Sequence, residues 1–239
     1  SSGISNLGDE TVTLSDTSLA VSVLNTLDDN TTGTINAGTV TTLTGAAADL
    51  NTAYSSSGIS NLGDEAVTLS DTTLAVSVLN TLDGHTSGTV NAGTVTTLSG
   101  AAADLNTAYS SSGISNLGDE AVTLSDTTLA VSVLNTLDGH TSGTIDASTV
   151  TTLTGAAADL NTAYDSAGIS GLGDEPVTLS DSTLAVSVLN TLDGNTTGAI
   201  NAGNVTTLTG TAADLNTAYD SSGISGLNNE TVTLSDTTL

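Results

Sequence analysis

Tandem repetition constrains this chain more than any other feature. Gly-Ile-Ser occurs at Gly3, Gly58, Gly113, Gly168 and Gly223, a spacing of 55 throughout. The copies differ at few positions, which marks recent duplication. Each block divides again, because Leu-Asn-Thr recurs at Leu24, Leu50, Leu79, Leu105, Leu134, Leu160, Leu189 and Leu215, with spacings alternating between 26 and 29. A unit this short cannot bury its own apolar face, so neighbouring units must supply the partner. The expectation is one continuous array over 1–239, with blocks beginning near those five glycines. Because the chain opens on Ser1, it is read as an excerpt of a longer protein.

Each unit reads as a strand plus a helix. In the long form, Ser70-Asp71-Thr72-Thr73-Leu74-Ala75-Val76-Ser77-Val78-Leu79-Asn80-Thr81-Leu82-Asp83-Gly84, the pattern predicts a helix capped by Ser70 or Asp71. Its apolar face is Leu74, Ala75, Val78, Leu79 and Leu82, and Gly84 ends it. In the short form, Ser99 is the expected cap of a helix running to Tyr109. Between helices, Ala121-Val122-Thr123-Leu124 alternates as a half-buried strand should. Pro176 stands at the start of one such strand, where a missing N–H is least harmful. The fold expected is an α/β solenoid of alternating 26- and 29-residue strand–helix units. The alternative is an all-β parallel solenoid.

Composition narrows function by exclusion. The chain has no Lys or Arg and a formal net charge of −26, so nucleic-acid binding is not expected. No run reaches the length of a membrane span. Cys, Met, Trp and Phe are absent, leaving four tyrosines as the core's only large aromatics. Without Lys and Arg there is no trypsin site, which suits a protein outside the cell.

Every candidate chemical group comes in several copies, whereas a catalytic triad needs one constellation. His85 and His140 occupy the place of Asn30 and Asn195 in sister blocks and read as exposed loop residues. No enzyme activity is expected. The acids Asp64, Glu65, Asp119, Glu120, Asp174 and Glu175 lie in Gly-Asp-Glu turns, with Asp83 and Asp138 after the long helix. They are the candidates for Ca²⁺, an oxygen-seeking cation, set against a reading as solvated surface acids. Thr39-Val40-Thr41 and Thr94-Val95-Thr96 suggest exposed threonine rows, resembling an ice-binding face or simply a solvated strand. Asn80 reads as solvent-facing. Asn30, Asn195, Asn204 and Asn229 begin N-glycosylation sequons, which have meaning only in a eukaryotic secretory setting.

The runs Thr191 to Gly198 and Val150 to Gly155 resemble the repeats of very large, lysine-poor surface or secreted proteins of bacteria, cyanobacteria especially. That resemblance implies an extracellular or cell-surface scaffold, such as a sheath fibre, surface layer or adhesin stalk. Its partner would be itself, through stacking, filament or lateral assembly. The alternative is a repetitive module on one face for Ca²⁺, glycan or ice.

Overall fold

A computed structural model describes residues 8–237. Two compact units are present. One holds the residues up to Gly100 together with Thr107–Glu120; the other holds Ala101–Asn106 and Ala121 onward. The first contains β1 (Val12–Thr13), β2 (Ser18–Ala20), α1 (Val21–Asn30), β3 (Ile35–Asn36), β4 (Thr42–Gly45), α2 (Ala47–Ser55), β5 (Ile59–Ser60), β6 (Ala66–Leu69), β7 (Thr73–Ala75), α3 (Val76–Asp83), β8 (Val90–Asn91) and β9 (Thr97–Gly100). Helix α4 (Ala102–Ser110) gives residues to both units, and β10 (Ile114–Ser115) closes the first. The second contains β11 (Ala121–Leu124), β12 (Thr128–Ala130), α5 (Val131–Asp138), β13 (Ile145–Asp146), β14 (Thr152–Gly155), α6 (Ala157–Asp165), β15 (Ile169–Ser170), β16 (Val177–Leu179), β17 (Thr183–Ala185), α7 (Val186–Asn195), β18 (Ile200–Asn201), β19 (Thr207–Gly210), α8 (Ala212–Asp220), β20 (Ile224–Ser225) and β21 (Thr231–Leu234).

These are repeated strand–helix units with parallel sheets, an α/β solenoid-like repeat. The eight helices exclude the all-β alternative for the described residues. Each strand pairs in parallel with the strand two further on in sequence. In the first unit the ladders are β1-β3-β5, β2-β4-β6-β8-β10 and the pair β7-β9; in the second they are β11-β13-β15, β12-β14-β16-β18-β20 and β17-β19-β21. The register advances by 24 residues from Ser18 to Thr42 and from Thr42 to Ala66, by 23 from Val67 to Val90, and by 24 from Val90 to Ile114.

The helices advance faster than the strands. They start at Val21, Ala47 and Val76, steps of 26 and 29. Each helix therefore begins two, then five, residues further along its coil than the helix before it. At about 3.3 Å per extended residue, those slips are roughly 7 and 16 Å of chain. For this reason a ladder never repeats one strand type. It runs Ser-Leu-Ala, Thr-Leu-Thr-Gly, Ala-Val-Thr-Leu, Val-Asn, Ile-Ser, and then stops. It stops where the next 24-residue step lands in a helix. From Ile59, the last strand of its ladder, that step reaches Asp83 at the end of α3; from Ile169 it reaches Asp193 in α7.

The core is aliphatic. Leu24, Leu50, Leu79, Leu105, Leu134, Leu160 and Leu189 of the Leu-Asn-Thr triplets are buried, as are Val67, Val90, Leu98 and their counterparts. The triplet's three residues divide the work. Leu enters the core. Asn reaches the neighbouring helix. Thr returns its hydroxyl to the carbonyl four residues back, as Thr81 does to Ser77 at 2.7 Å and Thr52 to Ala48 at 3.0 Å. Strand β6 alternates exposed and buried residues as expected.

Both helix starts differ from the sequence expectation. Leu74 and Ala75 lie in strand β7, and the long helix begins at Val76 with no side-chain cap. Ser99 lies in strand β9, not at a helix cap. Gly84 does follow the long helix, but with right-handed φ of −71°. Pro176 stands just outside β16, which is three residues long where β6 and β11 have four. Elsewhere this position is not idle, since the Ala66 N–H donates to the Thr41 carbonyl at 3.0 Å. Proline deletes that bond and shortens the strand.

One glycine is fixed by packing. Gly100 has φ of +148°, and a Cβ there would sit 2.6 Å from Val76 Cγ1 on the preceding coil. Gly84 has ordinary helical φ, and a Cβ there would meet the Thr81 carbonyl only at 3.4 Å. Gly100→Ala is therefore expected to cost about 1–3 kcal/mol, while Gly84→Ala changes stability by less than about 1 kcal/mol. Denaturant melts followed by circular dichroism would compare them; equal effects would refute this account of the packing.

Candidate functional site

The acids dominate any search for chemistry, because they are the chain's only abundant charged groups. Three sets of them recur from block to block, each with its own hydrogen-bond donors.

The first set is Glu65, Glu120 and Glu175. They are the glutamates of the Gly-Asp-Glu turns, candidates with their neighbouring aspartates for Ca²⁺ or for solvated surface acids, and all three are buried, Glu65 completely. The Tyr54 hydroxyl donates to Glu65 Oε2 at 3.0 Å, and the Gly63 N–H to the same oxygen at 2.9 Å. Thr86 Oγ1 donates to the Glu65 carbonyl at 2.9 Å while accepting the Gly88 N–H. Glu65 Oε1 is buried with no partner, a cost of about 1–3 kcal/mol. The pattern recurs at Tyr109 with Glu120 (3.0 Å), Tyr164 with Glu175 (3.2 Å) and Tyr219 with Glu230 (3.5 Å). Every tyrosine of the chain thus covers a glutamate eleven residues on.

The second set is Asp71, Asp126, Asp181 and Asp236. Asp71 Oδ2 accepts the N–H of Ala47, the first residue of α2, at 2.8 Å. Asp126, Asp181 and Asp236 do the same for Ala102, Ala157 and Ala212, at 2.7–2.8 Å. Asp71 is a helix cap after all, but for the helix 24 residues before it. The geometry satisfies an orphan N–H and sets a carboxylate at the positive end of the helix dipole.

The third set follows the long helix. Ser56 Oγ donates to Asp28 Oδ2 at 2.6 Å and accepts the Gly58 N–H at 3.0 Å. Ser111 holds Asp83, Ser166 holds Asp138 and Ser221 holds Asp193 in the same way.

The Ca²⁺ candidates are therefore not brought together. Asp64, Asp119 and Asp174 are exposed while the adjoining glutamates turn inward. Asp83 and Asp138 are tied to serines. Among the described residues no group of three or more His, Asp or Glu is placed to hold a metal ion.

Other expectations change as well. His85 is half-buried and stacks on Tyr54, with ring centroids 5.7 Å apart and planes 5° from parallel. The asparagines of the long helices reach their neighbours instead of solvent: Asn25, Asn135 and Asn190 donate to the carbonyls of Asp49, Asp159 and Asp214. Those of the short helices do so too, Asn51 to Val78 and Asn106 to Val133, both at 3.0 Å. Thr39-Val40-Thr41 lies in a turn and connection, not a strand, and its hydroxyls are spent on the Leu14 and Thr17 carbonyls. Thr94 and Thr96 are used alike. Of the sequon asparagines, Asn30, Asn204 and Asn229 are exposed and Asn195 is half-buried; Asn204 also donates to the Leu179 carbonyl at 2.7 Å.

One surface recess recurs. Thr68, Asn91, Thr94, Asn116 and Asp119 line it in one block, and Gly38, Asn61 and Asp64 line its counterpart in the block before. Asn61 and Asn116 hold left-handed φ of +63° and +62°, with their amides donating to Asn36 and Asn91 at 2.8 Å.

No protein-family model, no curated protein and no solved structure matches the chain. Among the described residues no helix is long and apolar enough to cross a membrane.

Two measurements follow from the carboxylate geometry. Asp71→Ala removes the acceptor of the Ala47 N–H and should cost about 0.5–2 kcal/mol, with Asp71→Asn retaining most of it; equal losses would show that the cap is not what matters. The second concerns tyrosine. Burial first, then the Glu175 charge, pushes the Tyr164 phenol up to about 12, although a hydrogen bond with Thr196 opposes the rise. Burial and Glu65 raise Tyr54 likewise. A raised folded value means stability that is intact below pH 10 and is lost as pH climbs towards 12. Phenolate absorbance should therefore appear with unfolding; full ionisation near pH 10 in a folded chain would contradict the burial.

Proposed function

We propose that this chain is an extracellular structural repeat protein, built to supply length and surface as part of a fibre, sheath or surface layer. Its unit is the alternating pair of 26- and 29-residue strand–helix halves, running as one continuous array. The observation that carries the reading is the use of the acids. Each buried or half-buried carboxylate set recurs block after block in a hydrogen bond that closes a turn or joins two coils, and none stands as a single distinctive constellation. No catalytic role is proposed for any residue. The absence of Lys and Arg withholds trypsin sites and leaves the surface uniformly negative, which favours solubility and discourages lateral contact at low salt.

A second reading is favoured by the recess lined by Asn91, Asn116 and Asp119, a polar concavity repeated on one face. It would make the array a display of weak sites for Ca²⁺ or a glycan.

Negative-stain microscopy of the native material, paired with melting in chelator and in millimolar Ca²⁺ at fixed ionic strength, tests both. Filaments, sheets or rods with superimposable melts are expected. Compact isolated particles would overturn the scaffold, and a melting temperature several degrees higher in Ca²⁺ would favour the second reading.

A further inference from the structure

The recess at Asn91, Asn116 and Asp119 carries chemistry as well as shape. Its volume is about 670 Å³, in the range of small-molecule sites. All of its lining residues belong to the first compact unit. Thr68 on β6 stands beside Asn91 on β8, on the outward face of their ladder. Asn116 and Asp119 come from the turn that follows β10.

One backbone donor decides which atoms are left for a ligand. The Gly93 N–H donates to the side-chain oxygen of Asn91 at 3.0 Å, so that atom can only be Oδ1. The group of Asn116 that reaches the same oxygen at 2.8 Å must then be its amide nitrogen. Each asparagine keeps one half uncommitted: Asn91 its NH₂, Asn116 its Oδ1. Among the described residues neither of these groups has a hydrogen-bond partner, and nor has the exposed Asp119 carboxylate.

These groups select among ligands. An anion is repelled, because the chain carries a net charge of −26 and no Lys or Arg. Ca²⁺ takes about six to eight oxygens. Here Asn91 Oδ1 is already bonded twice, and the other end of that amide is a donor, which a cation avoids. A donor, an amide acceptor and a carboxylate together suit adjacent hydroxyl groups on a neutral ring, each of which gives one hydrogen bond and accepts others. The half-buried Leu117 adds an apolar edge for ring C–H groups.

The blocks differ here in a way that isolates the site. Asn36, Asn61 and Asp64 repeat the triad, with the Gly38 N–H and the Asn61 amide both donating to Asn36 Oδ1. Later blocks carry Asp146, Gly171 and Asp174, then Asn201, Gly226 and Asn229. A Cβ at Gly171 or Gly226 would sit 2.7 or 2.6 Å from the backbone nitrogen of Ser148 or Gly203, so those turns leave no room for a side chain. Asn61 and Asn116 hold the same left-handed region at a cost that glycine avoids. What they add is the amide pair.

We propose that the two Asn-Asn-Asp recesses each bind a neutral saccharide unit. Asp119 and Asn116 Oδ1 accept from neighbouring hydroxyls, and Asn91 Nδ2 donates to one of them; Asp64, Asn61 and Asn36 do the same one block earlier. The inference rests on the reading of the array as a display of weak sites. It deepens that reading by choosing a glycan over Ca²⁺ and by confining it to these two copies.

The test is saturation-transfer difference NMR on the full chain with the methyl glycosides of glucose, galactose, mannose and N-acetylglucosamine. At least one should bind with a dissociation constant on the order of 1 mM, read by titration to about 50 mM. Asn61→Gly combined with Asn116→Gly adopts the residue type found at positions 171 and 226, and should weaken binding about tenfold or more. Asp64→Ala with Asp119→Ala removes two exposed carboxylates that hold no contact in the fold, so it should leave the melt unaltered and weaken binding likewise. Asp174→Ala should leave binding unchanged; an equal loss there overturns the confinement to two copies. A folded, helical chain that binds none of the four glycosides overturns the inference, as does binding indifferent to both double variants. If CaCl₂ raises the melting temperature at fixed ionic strength while no glycoside binds, the glycan fails and the display of weak sites stands. If neither acts, both fail.

Discussion

Parallel main-chain pairing at a 24-residue step is the constraint on which the other contacts depend. It decides which residues of successive coils face each other, and it does so independently of where the helices fall. The helices advance by more than one step, so they slip along the coil, and each strand type meets a different type on either side. This slip explains contacts that sequence neighbourhood does not suggest. Asp71 lies just before α3 yet serves α2. Gly100 lies beside α4 yet is fixed by Val76 of α3. Ladders end not at a breaker residue but where the pairing step runs into a helix.

The second constraint is charge. With 26 acids and no Lys or Arg, ion pairs with Lys or Arg are impossible, and only two histidines could carry positive charge. A buried carboxylate must then be satisfied by neutral donors or not at all. The fold supplies them from backbone N–H groups at tight turns, from the first N–H of a short helix, from serine and from tyrosine. These contacts are short-range and directional, so they survive in a field of uniform negative charge that long-range attraction could not organise. Glu65 shows the limit, with two donors on one oxygen and none on the other. The tyrosines serve the same end, each placing its hydroxyl on a glutamate, with the rings of Tyr54 and Tyr164 partly buried.

Much of the architecture was legible from periodicity. The alternation of strand and helix, the burial of Leu in Leu-Asn-Thr and the in–out pattern of Ala-Val-Thr-Leu all follow from spacing and hydrophobicity, which are local. What was not legible depends on the pairing step. Ser70, Asp71 and Ser99 carry the residue types of local N-caps, but Leu74 and Ala75 are drawn into β7 and Ser99 into β9, so both helices start later; the short helix takes its cap from the next coil, and the long helix has no side-chain cap. Thr39 and Thr41 carry the alternation of a strand, but their hydroxyls are drawn to carbonyls 24 and 25 residues back. A helical wheel turns the asparagine of the long helix to solvent because it omits the neighbouring helix, whose carbonyls take the amides of Asn25, Asn135 and Asn190. Glutamate reads as a surface residue in any single copy. The signal that betrays its burial is the fixed spacing of eleven from tyrosine, repeated at every tyrosine in the chain.

The differences between blocks show what repetition preserves. Thr94 donates to the Leu69 carbonyl, and two blocks later Asn204 stands in its place and donates to the equivalent carbonyl of Leu179. Ser55 changes to Asp165 where His85 changes to Asn195, and Asn195 donates across the coils to Asp165 Oδ1 at 3.5 Å. Asn116 changes to Gly171 at a backbone position that keeps positive φ in both, +62° and +82°. In the first two cases an exchange is matched by a donor or a partner on the neighbouring coil, and in the third by the turn that links coils. Pro176 is the exception, and it costs one strand residue. Substitutions that respect contacts between coils, in a chain where three recurring sets of carboxylates are hydrogen-bonded into turns and coil contacts, make those contacts the property that the repeats hold in common. A surface site would leave the opposite trace, with one solvent face held constant while the joints drifted.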